Sequence, residues 1–230
     1  MLVIGHRGAA GHEVENSIKS IKKGISFDVD YIEIDVQRTK DNKIIVFHDK
    51  RLNRLTNYSK TIFDYTFKEL KDNVTLSNGE SLPLLSEVCK IIAESNKKLF
   101  IEIKSINIEK EVIDIANRYL SKNNYIIGSF FHKAILKVKQ IDNSINTLAL
   151  LEGGLIDITP IIDDTNCDYI GMGYQFIDGD IVDSIHKQNK KIFLWTVNYV
   201  DDIKKAIELN VDGIISNYPD RVKNILNKKI

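Results

Sequence analysis

At 230 residues the chain has the length of one α/β barrel, a fold of about 250 residues, and it needs no partner to bury a core. Its 32 Lys and Arg balance 32 Asp and Glu, so no global field draws it to nucleic acid or to an anionic membrane surface. No apolar stretch approaches the roughly 20 residues that span a bilayer, which excludes a transmembrane segment and leaves function to a local site.

Residues 2–6 read as a strand that runs into His6-Arg7-Gly8. A strand so close to Met1 leaves no room for a basic start and apolar run of a secretory signal, so a cytoplasmic location is expected. His12 reads as solvated. Asn16, in Glu15-Asn16-Ser17, has two readings that stay open: cap of the first helix, or contact to phosphate or metal.

The second strand, 31–37, alternates Glu33, Asp35 and Gln37 with Ile32, Ile34 and Val36. Side chains in a strand point to opposite faces in turn. The apolar face must meet helices, so the carboxylates point into a barrel lumen. Between Gln37 and Leu84 roughly fifty residues intervene, too many for an ordinary turn. Arg38 to Lys43 resembles a hairpin turn with Asn42 left-handed, after which 44–47 folds back as a strand and delivers His48 beside the acids. The polar stretch 57–81, anchored by Phe63, Tyr65 and Phe67, reads as an insertion over the barrel mouth.

Further strands are expected at 98–104, 125–130, 145–151, 169–172, 192–197 and 213–216. With the first two they make eight, the number that closes a parallel barrel. Glu102 and Lys104 share one face of the third, opposite Ile101 and Ile103. Intervening segments are amphipathic at helical period, as in Ile108, Val112, Ile115 and Tyr119, or Ile181, Val182 and Ile185. Cys89 and Cys167 lie far apart in no metal-type spacing and read as reduced core thiols. His132 reads as a helix-start residue, and His186 as a solvated residue near a helix C-terminus. Pro219 suits the first turn of a last helix running through Leu226, followed by a solvated Lys-rich tail. The expected fold is thus a single (β/α)₈ TIM barrel spanning 1–230 as one domain, with an insertion after strand two at about 38–83.

In a parallel barrel the strand C-termini build the active site. His6, Arg7, Glu33, Asp35, Glu102 and Lys104 all fall at or near such ends. If the second and third strands are neighbours, Glu33, Asp35 and Glu102 converge, and a trio of buried carboxylates needs compensation. A lumen ion-pair network with Arg7 and Lys104 is one account, but it leaves His6 and His48 idle and the charge negative. One hard divalent cation on oxygen ligands balances it, Mg²⁺ or Ca²⁺ first and Mn²⁺ also suitable. Two imidazoles flanking the acids form a general acid and base pair; Arg7 and Lys104 suit phosphate oxygens. Phe130 and Trp195, at strand ends, are either core or the wall of an apolar slot at the mouth.

His6-Arg7-Gly8, Glu15-Asn16-Ser17, Glu33-Ile34-Asp35-Val36, Phe47-His48-Asp49, Leu82-Pro83-Leu84-Leu85-Ser86-Glu87, Glu102-Ile103-Lys104 and Trp195-Thr196-Val197-Asn198 follow one another in an order that resembles the glycerophosphodiester phosphodiesterase family. The resemblance implies a (β/α)₈ barrel and metal-dependent hydrolysis of a small-molecule glycerophosphodiester to sn-glycerol 3-phosphate and an alcohol. It also implies Glu33, Asp35 and Glu102 as metal ligands, His6 and His48 as acid and base, and Arg7 and Lys104 as phosphate contacts. The chain departs from the family pattern at Val14, where Pro is usual, at Asn42, where Gly is usual, and at Ser216-Asn217, where Thr-Asp is usual. The last removes a negative charge at the barrel mouth. Two rivals share the resemblance: a phospholipase D-like hydrolase of lysophospholipids or sphingomyelin, which would want an apolar rim that the sequence does not display, and a catalytically silent phosphoester-binding barrel, which would have lost one of His6, His48 or a ligand. The oligomeric state is left open.

Overall fold

The computed structural model describes residues 1–228, so the last two residues of the expected Lys-rich tail lie outside the described residues. In chain order the elements are β1 (Leu2–Gly5), α1 (Ile18–Ser26), β2 (Tyr31–Arg38), β3 (Ile44–Val46), α2 (Phe67–Asn73), α3 (Leu85–Ser95), β4 (Lys98–Ile103), α4 (Glu109–Asn117) and β5 (Tyr125–Ser129). They continue as α5 (His132–Ile141), β6 (Asn146–Leu151), α6 (Thr159–Thr165), β7 (Tyr169–Gly173), α7 (Gly179–Lys187), β8 (Lys191–Trp195), α8 (Val200–Glu208), β9 (Gly213–Ser216) and α9 (Pro219–Asn227). Eight of the strands run parallel, and pairing of β1 with both β9 and β2 closes them into a barrel. The expected (β/α)₈ architecture is therefore the observed one. Strand ends differ by a residue or two: His6, Lys104 and Phe130 stand just beyond their strands, where the chain has begun to leave the ladder.

The alternation read from β2 sorts the interior into two layers. Ile32, Ile34 and Val36 pack with the helices, whereas Tyr31 joins Ile4, Phe100, Ile126, Leu148, Leu150, Phe193 and Ile215 in an apolar plug filling the lumen. Above that plug on β2 come Glu33, Asp35 and Gln37, all buried. Neighbouring β4 is in the same register, with Asp35 beside Glu102, so the polar layer sits on a hydrophobic floor. Amphipathic helices cover the outside as their periodicity requires: Val112, Ile181, Val182 and Ile185 are buried, while Ile115 and Tyr119 are partly so. No helix among the described residues is long and apolar enough to cross a membrane.

The turn after β2 places Asn42 at φ 61°, and β3 returns antiparallel to β2, as the hairpin reading requires. The insertion does more than cover the mouth. Ile45, Phe47, Leu52, Ile62, Leu70, Val74, Leu76 and Leu82 form a separate small core, against which Tyr65 and Phe67 pack. Phe63, expected as an anchor, is instead 38% exposed, because Ile62 beside it takes the inward position. Cys89 and Cys167 are buried and free, and burial pushes the Cys89 thiol up to about 12, so both are inert packing residues.

Candidate functional site

The His-Arg-Gly turn has a steric origin. After β1 the backbone turns through left-handed conformations, φ 50° at Arg7 and 90° at Gly8, and a Cβ on Gly8 would lie 2.4 Å from the Ser20 carbonyl carbon. Only glycine fits there. The turn aims the Arg7 N–H at Glu33 Oε2, 2.7 Å away, and lays the guanidinium between Asp35, with Nε at 3.1 Å, and Glu15, with Nη1 at 2.6 Å. His6 Nδ1 donates to Asn217 Oδ1 at 2.6 Å, which leaves Nε2 as the free nitrogen, 3.9 Å from Glu33. Burial, reinforced by the Arg7 charge, holds the imidazole down at about 4. It is neutral at pH 7.

Glu33, Asp35 and Glu102 each bring a carboxylate oxygen within 4.8 Å of the others. Desolvation, then repulsion from Asp35, pushes Glu102 up to about 7, and desolvation with both other acids raises Glu33 well above the ordinary value. For Asp35 desolvation is outweighed by Arg7, His48, Lys104 and the Asn16 hydrogen bond, and its carboxyl is held low. Glu33 Oε1 and Asp35 Oδ1 are buried with no hydrogen-bond partner. Buried acceptors left unpaired are costly, and oxygen-only donors of this kind suit a hard divalent cation. The residues present fit such an ion.

A stability test follows from the raised carboxyls. Unfolded, a glutamate releases its proton near 4.5; folded, Glu33 and Glu102 hold theirs to higher pH. Stability is therefore lost as pH climbs from the unfolded value through about 7 for Glu102, and a cation that takes the place of those protons recovers it. Added Mg²⁺ or Ca²⁺ should raise Tm at pH 8 by about twice or more the gain at pH 5.5, measured by thermal denaturation. An equal gain at both would count against ligation by these acids.

The third arm of the site comes from the insertion. The Gln37 side-chain amide lies 2.9, 2.9 and 2.8 Å from the carbonyl oxygens of Phe47, His48 and Asp49, pinning the segment that carries His48. His48 Nδ1 donates to Asp49 at 2.6 Å, so Nε2 faces the site, 3.2 Å from Lys104 Nζ. Lys104 donates to Glu102 at 2.7 Å and lies 3.8 Å from Asp35. Asp49 also takes Arg54 Nε at 2.5 Å, and Arg54 reaches Glu15 at 2.6 and 2.8 Å. A continuous run of ion pairs thus joins His48 to Arg7. Arg54 carried no sequence signal, whereas Glu15 and Asp49 stand inside motifs that could have flagged them.

Six of these groups, His6, Arg7, Glu33, His48, Glu102 and Lys104, border one cavity of about 310 Å³. Phe130 and Trp195 line it as well, edge to face with centroids 5.3 Å apart, and Trp195 also packs against the apolar plug. The Trp195 indole N–H is buried without a partner. Glu152 and Thr196 also line the cavity; a lone loop acid and a lone loop threonine gave no pattern to read. Two candidates do not line the cavity: Asp35, which is fully buried, and Asn16. Nor does Asn16 cap α1, a task done by Ser17; it donates to Asp35 Oδ2 at 2.8 Å and accepts from the Asp35 N–H at 3.2 Å. Its left-handed backbone, φ 58°, turns the side chain toward β2. His12 is exposed and bonded to Asp220, His186 sits in the last turn of α7 against Asp212, and His132 opens α5.

The model of the glycerophosphoryl diester phosphodiesterase family matches residues 6–221. A glycerophosphodiester phosphodiesterase of Caldanaerobacter subterraneus subsp. tengcongensis is 31% identical, covering 99% of this chain and 98% of its own. Lysophospholipase D GDPD1 of Rattus norvegicus is 22% identical over 97% of this chain and 85% of its own. Among solved structures, a phosphodiesterase of Oleispira antarctica in complex with the product sn-glycerol-3-phosphate superposes with a TM-score of 0.92 at 22% identity, covering 99% of this chain and 97% of that one.

Proposed function

The chain belongs to the glycerophosphoryl diester phosphodiesterase family, and from that premise we propose that it hydrolyses glycerophosphodiesters such as glycerophosphocholine or glycerophosphoethanolamine to sn-glycerol 3-phosphate and an alcohol. The observation that carries this reading is the convergence of three buried carboxylates, two of them with orphaned oxygens, beside a cavity that two imidazoles and two cations line together with Glu33 and Glu102. Glu33, Asp35 and Glu102 would hold one divalent cation, Mg²⁺ or Ca²⁺, with Mn²⁺ also suitable. When bound, such an ion supplies Lewis-acid polarisation of a phosphate oxygen and cancels the surplus negative charge.

The chain's own groups do the rest. Arg7 and Lys104 grip non-bridging phosphate oxygens and stabilise the charge that grows on them. His6, neutral and with Nε2 free, takes the proton of the nucleophile. His48, in its protonated form with Nδ1–H held by Asp49, gives the proton on its Nε2 to the leaving alkoxide. The walls at Phe130 and Trp195 seat the glycerol carbons, with the unpaired indole N–H available to a glycerol hydroxyl. Asn16 acts at one remove, by fixing the Asp35 carboxylate. The whole chain is read as one catalytic domain, resident in the cytoplasm, where its two free buried thiols would stay reduced.

Release of glycerol 3-phosphate from glycerophosphocholine, with and without chelator, tests this. Activity should vanish on complete removal of divalent cation and return on adding it back; turnover that persists without metal would refute the site.

A second reading has its own support. Phe130, Ile156, Phe176 and Tyr199 are exposed, Ile156 fully and Tyr199 at 69%, on the loops after β5, β6, β7 and β8. Each lies in a loop after a strand, too short to show a periodic pattern in the sequence. An acyl chain on the glycerol could rest there, making lysophospholipids substrates. Hydrolysis of monomeric lysophosphatidylcholine at a kcat/KM above that of glycerophosphocholine would favour it.

A further inference from the structure

A second hollow of about 460 Å³ adjoins the catalytic cavity and shares His48 and Lys104 with it. Arg38, where β2 leaves the barrel, and Lys50, just past His48-Asp49, line it. Neither forms an ion pair among the described residues, in a molecule where most other site charges are matched. No carboxylate lines the hollow. Ser105 does, and its hydroxyl is buried without a hydrogen-bond partner, a donor left over by the fold. Phe63, Ile106 and Phe131 complete the wall, exposed by 38%, 52% and 49%. Apolar sides, two uncompensated cations and a spare hydroxyl are the makings of a site for a short carbon stem bearing a negative charge.

Its place beside the reaction centre says which part of a substrate would occupy it. A diester whose phosphorus lies between Arg7 and Lys104, with its glycerol toward Phe130 and Trp195, must send its other substituent past His48 and Lys104. We propose that this hollow is the leaving-group subsite, and that it selects diesters whose leaving alcohol carries an anionic group, a phosphate above all, over those with a cationic one. The inference rests on the reading of the cavity as a glycerophosphodiesterase site. Choline or ethanolamine would meet Arg38, Lys50 and Lys104 with no acid to receive its charge, and the rings of Phe63 and Phe131 offer it only a weak cation–π contact.

The test compares kcat/KM at low salt, with divalent cation present, for glycerophosphocholine and for glycerophosphoglycerol bearing a terminal phosphate on the leaving glycerol. The phosphorylated substrate should be preferred by about tenfold or more, mainly through KM, as expected for an interaction made equally in ground and transition states. The preference should shrink with added NaCl. In the Arg38→Gln/Lys50→Gln double variant it should fall to about threefold or less. Lys50→Gln alone, at an exposed position, should give a partial fall and serves if the double change impairs folding. Equal or better turnover of glycerophosphocholine, or a preference unchanged in the variants, overturns the subsite while leaving the activity standing. No turnover of any diester overturns the activity, and the subsite with it.

Discussion

Asp35→Asn is expected to lower kcat/KM for glycerophosphodiesters by about a thousandfold or more, the several kcal/mol that charge stabilisation at a phosphoryl centre supplies, and to abolish the gain in Tm that Mg²⁺ or Ca²⁺ gives the unaltered chain. The replacement keeps the shape of the side chain and can still meet Asn16. It removes the one member of the acidic trio whose carboxyl is held low, by Arg7 at 3.1 Å and Lys104 at 3.8 Å, and with it one oxygen that lacks a partner. Glu33 and Glu102 then lose a repelling neighbour and would have to hold an ion without it. Because Asp35 is fully buried and does not border the cavity, it cannot act by touching the glycerol. A variant with activity within about tenfold of the original would show that the trio is a structural ion-pair network.

His48→Ala is the second large effect. Loss of a general acid costs roughly two to four orders of magnitude in kcat, with KM little changed. The choice of substrate separates the two histidines. A glycerophosphodiester with p-nitrophenol as the leaving group needs no proton at departure, so His48→Ala should hydrolyse it at a rate within about tenfold of the original chain. His6→Ala should be slow on both substrates, since activation of the nucleophile is still required. Equal loss on both substrates in the His48 variant would assign that residue to the base. The geometry behind the expectation is the contrast in partners: Asn217, a neutral amide, on His6, and Asp49, a carboxylate, on His48.

The barrel was legible because burial writes a strong period into a strand. Carboxylates at every second position of β2, set against isoleucine and valine, allow only one assignment of inside and outside, and the register of β2 on β4 then brings Asp35 beside Glu102. Local turn chemistry was legible too, as Asn42 in its left-handed turn shows. What escaped was long-range and polar. Arg54 reaches Glu15 across 39 residues, and nothing near either residue announces the meeting. Asn16 and Ser17 are both good caps by type; only the approach of β2, which claims Asn16 for Asp35, decides between them. Phe63 and Ile62 are adjacent and both apolar, and a short helical turn rather than any period sets which of them turns inward.

His6 belongs to the barrel itself, but His48 rides on a segment with a hydrophobic nucleus of its own, tethered to the rest by the Gln37 clasp and the Asp49–Arg54–Glu15–Arg7 chain. Half of the proposed proton-transfer apparatus thus rides on a part joined to a rigid frame. Changes at the outer part of that segment, beyond the strand β3 that pairs with β2, are expected to recast which alcohols depart.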